Sequence, residues 1–301
     1  MRTVFLGTSE FAATVLRRQT ETRHRPQLVV TPPDRRKGRG RRAGPPPAAL
    51  AAAELGVELL QADDVNADGA LERIRAARPD AVAVCAFGQL IREPLLSEWP
   101  MLNVHPSLLP RWRGAAPIER AIMAGDERTG VSIMGVTAGL DSGPVALRKE
   151  VSIGPEDDFE SLSAKLSALG GDLLVEALDR QERGELSFAE QDDAEATYAE
   201  KIEADERRLD PARSATELAR TVRALTPHVG AYIAAGEDER LGVRRARAVD
   251  VSVRQGEMKA EWGALLLGCS RGALRLEVVQ PPGGKPMAAD AYLRGHRVPS
   301  L

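Results

Sequence analysis

Short apolar runs separated by helix-period segments occupy the first third of the chain. RTVFLG at 2–7 reads as a buried strand, and Ser9 as the N-cap of a helix to about Gln19. QLVVT at 27–31 predicts a second strand, residues 46–55 a helix, VELL at 57–60 a strand, 66–77 a helix and AVAVCAF at 81–87 a strand. Strands alternating with helices indicate an α/β fold, a parallel Rossmann-like sheet with helices on both faces. MLNVH at 101–105 continues the pattern and a helix is expected from about Ala116 to Ala124. GVSIMGV at 130–136 and GPVALRKEVSI at 143–153 are close enough to pair as an antiparallel hairpin across GLDS. A long amphipathic helix over 158–183 closes this part.

From Gly184 the pattern weakens until ERRLDP at 206–211, which reads as a linker. A helix near 214–224 and short strand-like pieces (AYIAA, RRARAVDV, ALLLGC, ALRLEVVQ) then predict a small OB-like β-barrel with one helix. The expected limits are 1–183 for a catalytic domain, 184–205 for a linker and 206–301 for a C-terminal domain.

Composition narrows the class. Of 301 residues 43% are hydrophobic and 28% charged, as in ordinary globular proteins, while only 4% are aromatic, so aliphatic packing carries the core. No apolar run approaches the roughly 20 residues of a membrane span, and the start of the chain has no signal-like segment, so a cytoplasmic protein without membrane contact is expected. Cys85 and Cys269 are too few and isolated for a disulfide framework or a CxxC metal site. The net charge of -3 hides an uneven distribution. Residues 1–45 carry 11 basic against 3 acidic side chains and 206–301 carry 16 against 11, so the middle is strongly acidic and both ends can face a polyanion.

Candidate chemistry gathers where the fifth strand ends. Asn103 and His105 are two residues apart and share a strand face. Pro106 favours an extended His105, and ligands of open parallel sheets bind at the strands' carboxyl ends. Asp141 sits in GLDSG, a glycine-flanked turn, where an acid is usually only a turn former. A lone His is likewise more often structural. Together, amide, imidazole and carboxylate make a set for acyl transfer without a protein nucleophile. Asn103 and His105 are expected to donate to an oxygen gaining charge, and Asp141 to orient His105 and take the proton of an attacking amine. The four histidines show no zinc spacing, so no metal is expected.

NVHPSLLPRWRGAAP at 103–117 and GLDSG at 139–143 resemble the N10-formyltetrahydrofolate-dependent formyltransferases. Supporting matches are GTSEFA, PPDRRKGRGRR, AFGQLI, AIMAGDERTGVSIM, TYAEKI and QPPGGKPM, spread over almost the whole chain. Pro106 and Ser142 stand where relatives often have a small residue and Thr. The resemblance, strongest to the branch acting on initiator tRNA, implies 10-formyltetrahydrofolate as formyl donor and the free amino group of methionyl-initiator tRNA as acceptor. It further implies that Ser107, Leu108, Leu109 and Pro110 line the folate site, with Phe87, Gly88, Gln89, Leu90 and Ile91 around the pterin. No obligate protein partner is implied.

PPDRRKGRGRRAGPPP places Arg35, Arg36, Lys37, Arg39, Arg41 and Arg42 within eight residues, between prolines. Charge runs are usually solvated loops. This one follows the second strand and so opens at the sheet edge that carries the chemistry, which favours nucleic acid. By the resemblance it contacts the acceptor end of the tRNA, with Arg39 as the specificity contact. Two other readings remain: a formyltransferase for a small amine, which lacks a use for the arginines, and a tRNA-binding module with a decayed site, against which all three catalytic residue types stand.

Overall fold

β1 (Thr3–Gly7) is buried at every position, as a strand covered on both faces must be. The computed structural model describes residues 1–37, 42–236, 239–261 and 263–300, and only the backbone of Arg36, Lys37 and Arg42. Ser9 caps α1 (Glu10–Thr20), its hydroxyl accepting from the Ala12 amide. After β2 (Pro26–Thr31) comes a ribbon of β3 (Arg35–Lys37) and β4 (Arg42–Gly44). α2 (Pro47–Leu55) starts on proline and ends at Gly56 in the left-handed conformation, the usual asymmetry of helix ends. β5 (Glu58–Gln61), α3 (Asp68–Ala76), β6 (Ala81–Cys85), the short α4 (Leu95–Glu98) and β7 (Met101–His105) follow.

β5, β2, β1, β6 and β7 lie side by side and parallel. On one face Val4, Leu6, Leu28, Val30, Val82 and Val84 pack with Leu71 and Ile74 of α3. The alternate residues Phe5, Val29 and Ala83 are equally buried, so both faces are covered.

β8 (Arg113–Gly114) and α5 (Pro117–Ala124) precede the expected hairpin of β9 (Arg128–Gly135) and β10 (Val145–Ser152). The hairpin continues the same sheet. β9 runs antiparallel to β7, with Asn103 beside Met134 and His105 beside Ser132, so the sheet is mixed. α6 (Phe159–Glu182) follows. The polar stretch after it is not free of the sheet: Val145 and Ala189 exchange backbone hydrogen bonds of 2.8 and 3.0 Å, and the Arg113 amide donates to the Thr197 carbonyl at 2.9 Å.

β11 (Tyr198–Ala199) and α7 (Ala215–Leu225) lead into β12 (Ala231–Ala235), β13 (Glu239–Val249), β14 (Met258–Glu261), β15 (Ala264–Gly268), β16 (Ala273–Gln280), β17 (Met287–Ala288) and α8 (Ala289–Gly295). The strands form an antiparallel half-barrel in the order β12, β13, β16, β15, β14, with β17 on β16. α7, held at its start by a Ser214–Glu217 capping box, buries Leu218, Val222 and Leu225 against Ile233, Val243, Leu265, Leu274 and Leu276. The pattern predicts one helix here. α8 is the second, too short for its period to register, and Tyr292 ties it to the same core.

Two compact units divide the chain, and neither is continuous: Met1–Gly114, Arg128–Ser152 and Ser163–Tyr198 make one, Ala115–Glu127, Ile153–Leu162 and Ala199–Leu301 the other. α5 therefore belongs with α7. Met123 packs on the second unit's core, and Arg120 reaches Glu206 with two nitrogens, the longer contact being 3.0 Å. No described helix is long and apolar enough to cross a membrane.

The Arg120 hydrogen bond holds the Glu206 carboxyl below the usual carboxylate range. A depressed acid contributes stability above its unfolded value, about 4.3 for Glu, and loses it as pH falls through the folded value. Glu206→Gln is therefore expected to destabilise the protein by roughly 1 kcal/mol at pH 7, discounted for partial exposure. The difference from wild type should close below about pH 4. Denaturant melts at both pH values check this; an equal gap at both would assign the loss to packing.

Candidate active site

Asn103 and His105 occupy the last turn of β7's pleat, where the strand has β6 parallel on one side and β9 antiparallel on the other. The Asn103 side chain is half-buried and has no hydrogen-bond partner among the described residues. His105 is buried, and its Nε2 lies 2.9 Å from the Trp112 carbonyl oxygen. A carbonyl only accepts, so Nε2 carries the proton and Nδ1 is left to face Asp141, whose Oδ2 is 3.6 Å away. The neutral ring thus offers a lone pair to the site, and only the imidazolium has a second N–H to give.

Asp141 comes from the loop between β9 and β10. The loop leaves β9 beside Leu102 and comes back to His105. Asp141 takes a left-handed φ of 44°, a conformation that Asp tolerates better than most residues. The Gly114 amide donates to its Oδ2 at 2.8 Å. Gln191 Nε2 donates to the backbone carbonyls of Asp141 (2.8 Å) and Gly143 (2.7 Å). At Gly143 a Cβ atom would lie 1.9 Å from the Gly135 carbonyl oxygen, so the second glycine of GLDSG is required by close backbone approach.

The residues that the family resemblance assigns to a folate pocket are divided. Leu90 is 67% exposed and Gly88 is also exposed, whereas Phe87 and Ile91 belong to the core beneath the sheet. Gln89 spends its amide on Val65 N and Ala62 O, fixing the neighbouring loop. Leu108 and Pro110 are half-buried. Leu109 packs on Met134 and Val145 in the interior, and the fully buried Ser107 donates to the Arg111 carbonyl at 2.6 Å. Ser107 and Leu109 shape the loop from inside.

Of the basic run, Arg35 is exposed at the start of the ribbon, while Arg39 and Arg41 lie outside the described residues, as do the side chains of Arg36, Lys37 and Arg42. The ribbon leaves β2 at the edge where β7 ends, three strand spacings or about 14 Å away. The second unit has its own basic cleft of about 570 Å³, lined by Arg220, Arg223, Arg244, Arg245 and Arg247 with Glu156 and Glu277 among the acids. Burial lowers the Arg223 pKa, and its guanidinium donates to the Asp157 carbonyl. His24, Asp179 and Glu182 bring possible metal-ligating atoms within 4.8 Å of one another. Arg23 already pairs with both acids, and the His24 hydrogen bond, ahead of Arg23, holds Asp179 below the ordinary range, so an ion-pair network explains the cluster. Burial pushes both cysteine thiols up, consistent with apolar filling.

Trp112, Arg113, Gly114 and Gln191 are the contributors that residue patterns do not single out. Trp112 and Gly114 act through backbone atoms. Gln191 lies in a stretch with no periodicity.

A mixed α/β sheet whose carboxyl end carries an amide unpartnered among the described residues, an imidazole and a left-handed carboxylate, with no Ser or Cys nucleophile among them, has the groups that acyl transfer needs. The chain matches the Formyl transferase family model over residues 1–178 and the Formyl transferase C-terminal domain over 201–297. The chain belongs to the formyl transferase family. It is 41% identical to a methionyl-tRNA formyltransferase of Methylococcus capsulatus, covering 98% of this chain and 97% of that protein. To one from Xanthomonas campestris it is 42% identical over the full length of both. The fold is shared with HypX from Aquifex aeolicus, solved in complex with tetrahydrofolic acid, at a TM-score of 0.69 and 20% identity over 100% of this chain and 49% of that one.

Gly143→Ala is expected to force the turn open at the Gly135 carbonyl and to lower stability by about 1–3 kcal/mol. A denaturation midpoint equal to wild type would show that the turn has room to spare.

Proposed function

We propose that the protein transfers the formyl group of 10-formyltetrahydrofolate to the amino group of methionyl-initiator tRNA, supplying formylmethionyl-tRNA for translation initiation. The observation that carries this reading is similarity over essentially the whole length of the chain to proteins named methionyl-tRNA formyltransferase. In this reading residues 1–183 are catalytic, 184–205 link, and 206–301 hold tRNA.

The donor set fits a formyl donor. Asn103 offers an amide with no hydrogen-bond partner among the described residues, and Leu90 and Gly88, exposed in the loop that follows β6, offer an apolar and a backbone surface for a ring. As the amine attacks, charge gathers on the formyl oxygen and Asn103 donates to it. Because Trp112 holds the Nε2 proton, His105 Nδ1 is the basic atom facing the site. This revises the roles expected from the sequence, where His105 donates to the oxygen and Asp141 takes the proton: here His105 takes the proton released by the amine, directly or through water, and Asp141 at 3.6 Å then stabilises the imidazolium. That proton passes to the departing folate nitrogen, which balances the transfer. The arginines of 35–42 and the second unit's cleft supply the polyanion contacts, with Arg39 at the acceptor end. Duplex RNA is read through shape, phosphates and unpaired ends, which suits a segment of sequence this rich in arginine.

Asn103→Ala is expected to lower kcat about 10²–10³-fold, the cost of one such donor, with tRNA affinity unchanged. Asp141→Ala should also abolish most turnover; near-normal rates in either variant overturn the roles given. Arg39→Ala should reduce the preference for initiator over elongator methionyl-tRNA. Equal loss on both would leave Arg39 a purely electrostatic contact. The deciding assay compares formyl transfer to initiator tRNA, elongator tRNA and a small amine: product on the amine alone would overturn the tRNA reading and keep the acyl-transfer site.

A further inference from the structure

Asp141 is held at both ends of its residue. Its carboxylate accepts from the Gly114 amide, and its backbone carbonyl accepts from Gln191. Gln191 donates with one nitrogen to two carbonyls, those of Asp141 and Gly143, which flank the left-handed turn. With its other terminus, Oε1, it accepts from Arg113 Nε at 3.0 Å. Arg113 is a buried guanidinium, 3% exposed, and pairs with the carboxylate of Asp193 at 2.7 Å, from the same stretch of chain. Thr197 completes the stretch: its hydroxyl accepts from the Trp112 amide at 2.9 Å and its carbonyl from the Arg113 amide at 2.9 Å. The residue that presents a carbonyl to His105 and the residue that presents an amide to Asp141 thus flank Arg113, which is fixed by 191–197.

A buried arginine is costly unless its donors are matched, and a left-handed Asp persists only where surrounding contacts over-determine it. Packing alone explains neither why an amide is needed at 191 nor why both its ends are used. A hydrophobic side chain of the same size would fill the space and leave two carbonyls and one guanidinium nitrogen without partners. We propose that Gln191 is a positioning residue for formyl transfer: by clamping the Asp141 and Gly143 carbonyls onto buried Arg113, it keeps the Asp141 carboxylate facing His105 Nδ1 in the reacting geometry. It touches neither substrate. The proposal rests on the reading of Asp141 as part of the reacting set.

The test uses the full chain with Gln191→Met, which keeps volume and loses all three contacts, and Gln191→Glu, which keeps an acceptor for Arg113 and loses the two donations. Both are measured beside Asp141→Asn in steady-state formyl transfer from 10-formyltetrahydrofolate to methionyl-initiator tRNA, with thermal melts of each. Expected is a fall in kcat of about 10–100-fold for both Gln191 variants, as for other residues that orient a reacting group, with KM for either substrate within about twofold. Gln191→Glu keeps the bond to Arg113 but sets a carboxylate oxygen against two carbonyls, so kcat of every variant is compared at a temperature well below its melting point, where each is fully folded. Wild-type kcat in Gln191→Met overturns the proposal, and so does a loss of kcat that tracks a loss of thermal stability in both variants, since that describes a packing residue. If Asp141→Asn itself keeps its kcat, the failure lies in the assignment of Asp141 and removes the clamp's purpose with it; an inactive Asp141→Asn beside active Gln191 variants refutes the clamp alone.

Discussion

Two backbone groups two residues apart, the Trp112 carbonyl and the Gly114 amide, set the geometry on which the site depends. One fixes the tautomer of His105 and the other the direction of Asp141. For both to point inward the chain must turn sharply between them, and Trp112 (φ 63°) and Gly114 (φ 122°) both leave the ordinary regions. A left-handed non-glycine residue costs roughly 1–2 kcal/mol, so the surrounding hydrogen bonds must hold Trp112 in place. Asp141, at φ 44°, carries a similar cost on the other side of the contact.

The sheet makes this meeting possible. β7 is the strand at which direction changes, parallel to β6 and antiparallel to β9. A further parallel strand would require a long crossover connection on this side. The antiparallel hairpin instead brings a short loop back beside the strand that supplies His105. Aliphatic residues buried on both faces of the parallel part keep these strands rigid, and the polar groups stand at its edge.

Electrostatics follows the same division between rigid support and exposed function. The basic ribbon begins at the edge where β7 ends, and the second unit carries five arginines around one cleft. Cations near the phosphates of a polyanion give affinity that falls with salt, while discrimination comes from the few groups that meet an unpaired end. Glu156 and Glu277 are interleaved among the cleft arginines.

The sequence by itself determined the alternation of elements, because period 2 and period 3.6 are properties of neighbouring residues. β1, β2, β6, β7, α6 and α7 lie within one or two residues of where the pattern places them. It also determined that Asn103 and His105 share a face and that Asp141 lies in a glycine-flanked turn, while the structure added that Gly143 has no room for a Cβ against the Gly135 carbonyl. Only the tertiary structure decided that Ser107 and Leu109 face inward, that α5 packs with the C-terminal unit, and that Gln191 reaches the turn. Each of these is a contact between segments far apart in the chain. Gln191 bonds residues some fifty positions away, and neither its type nor its neighbours report a partner that distant.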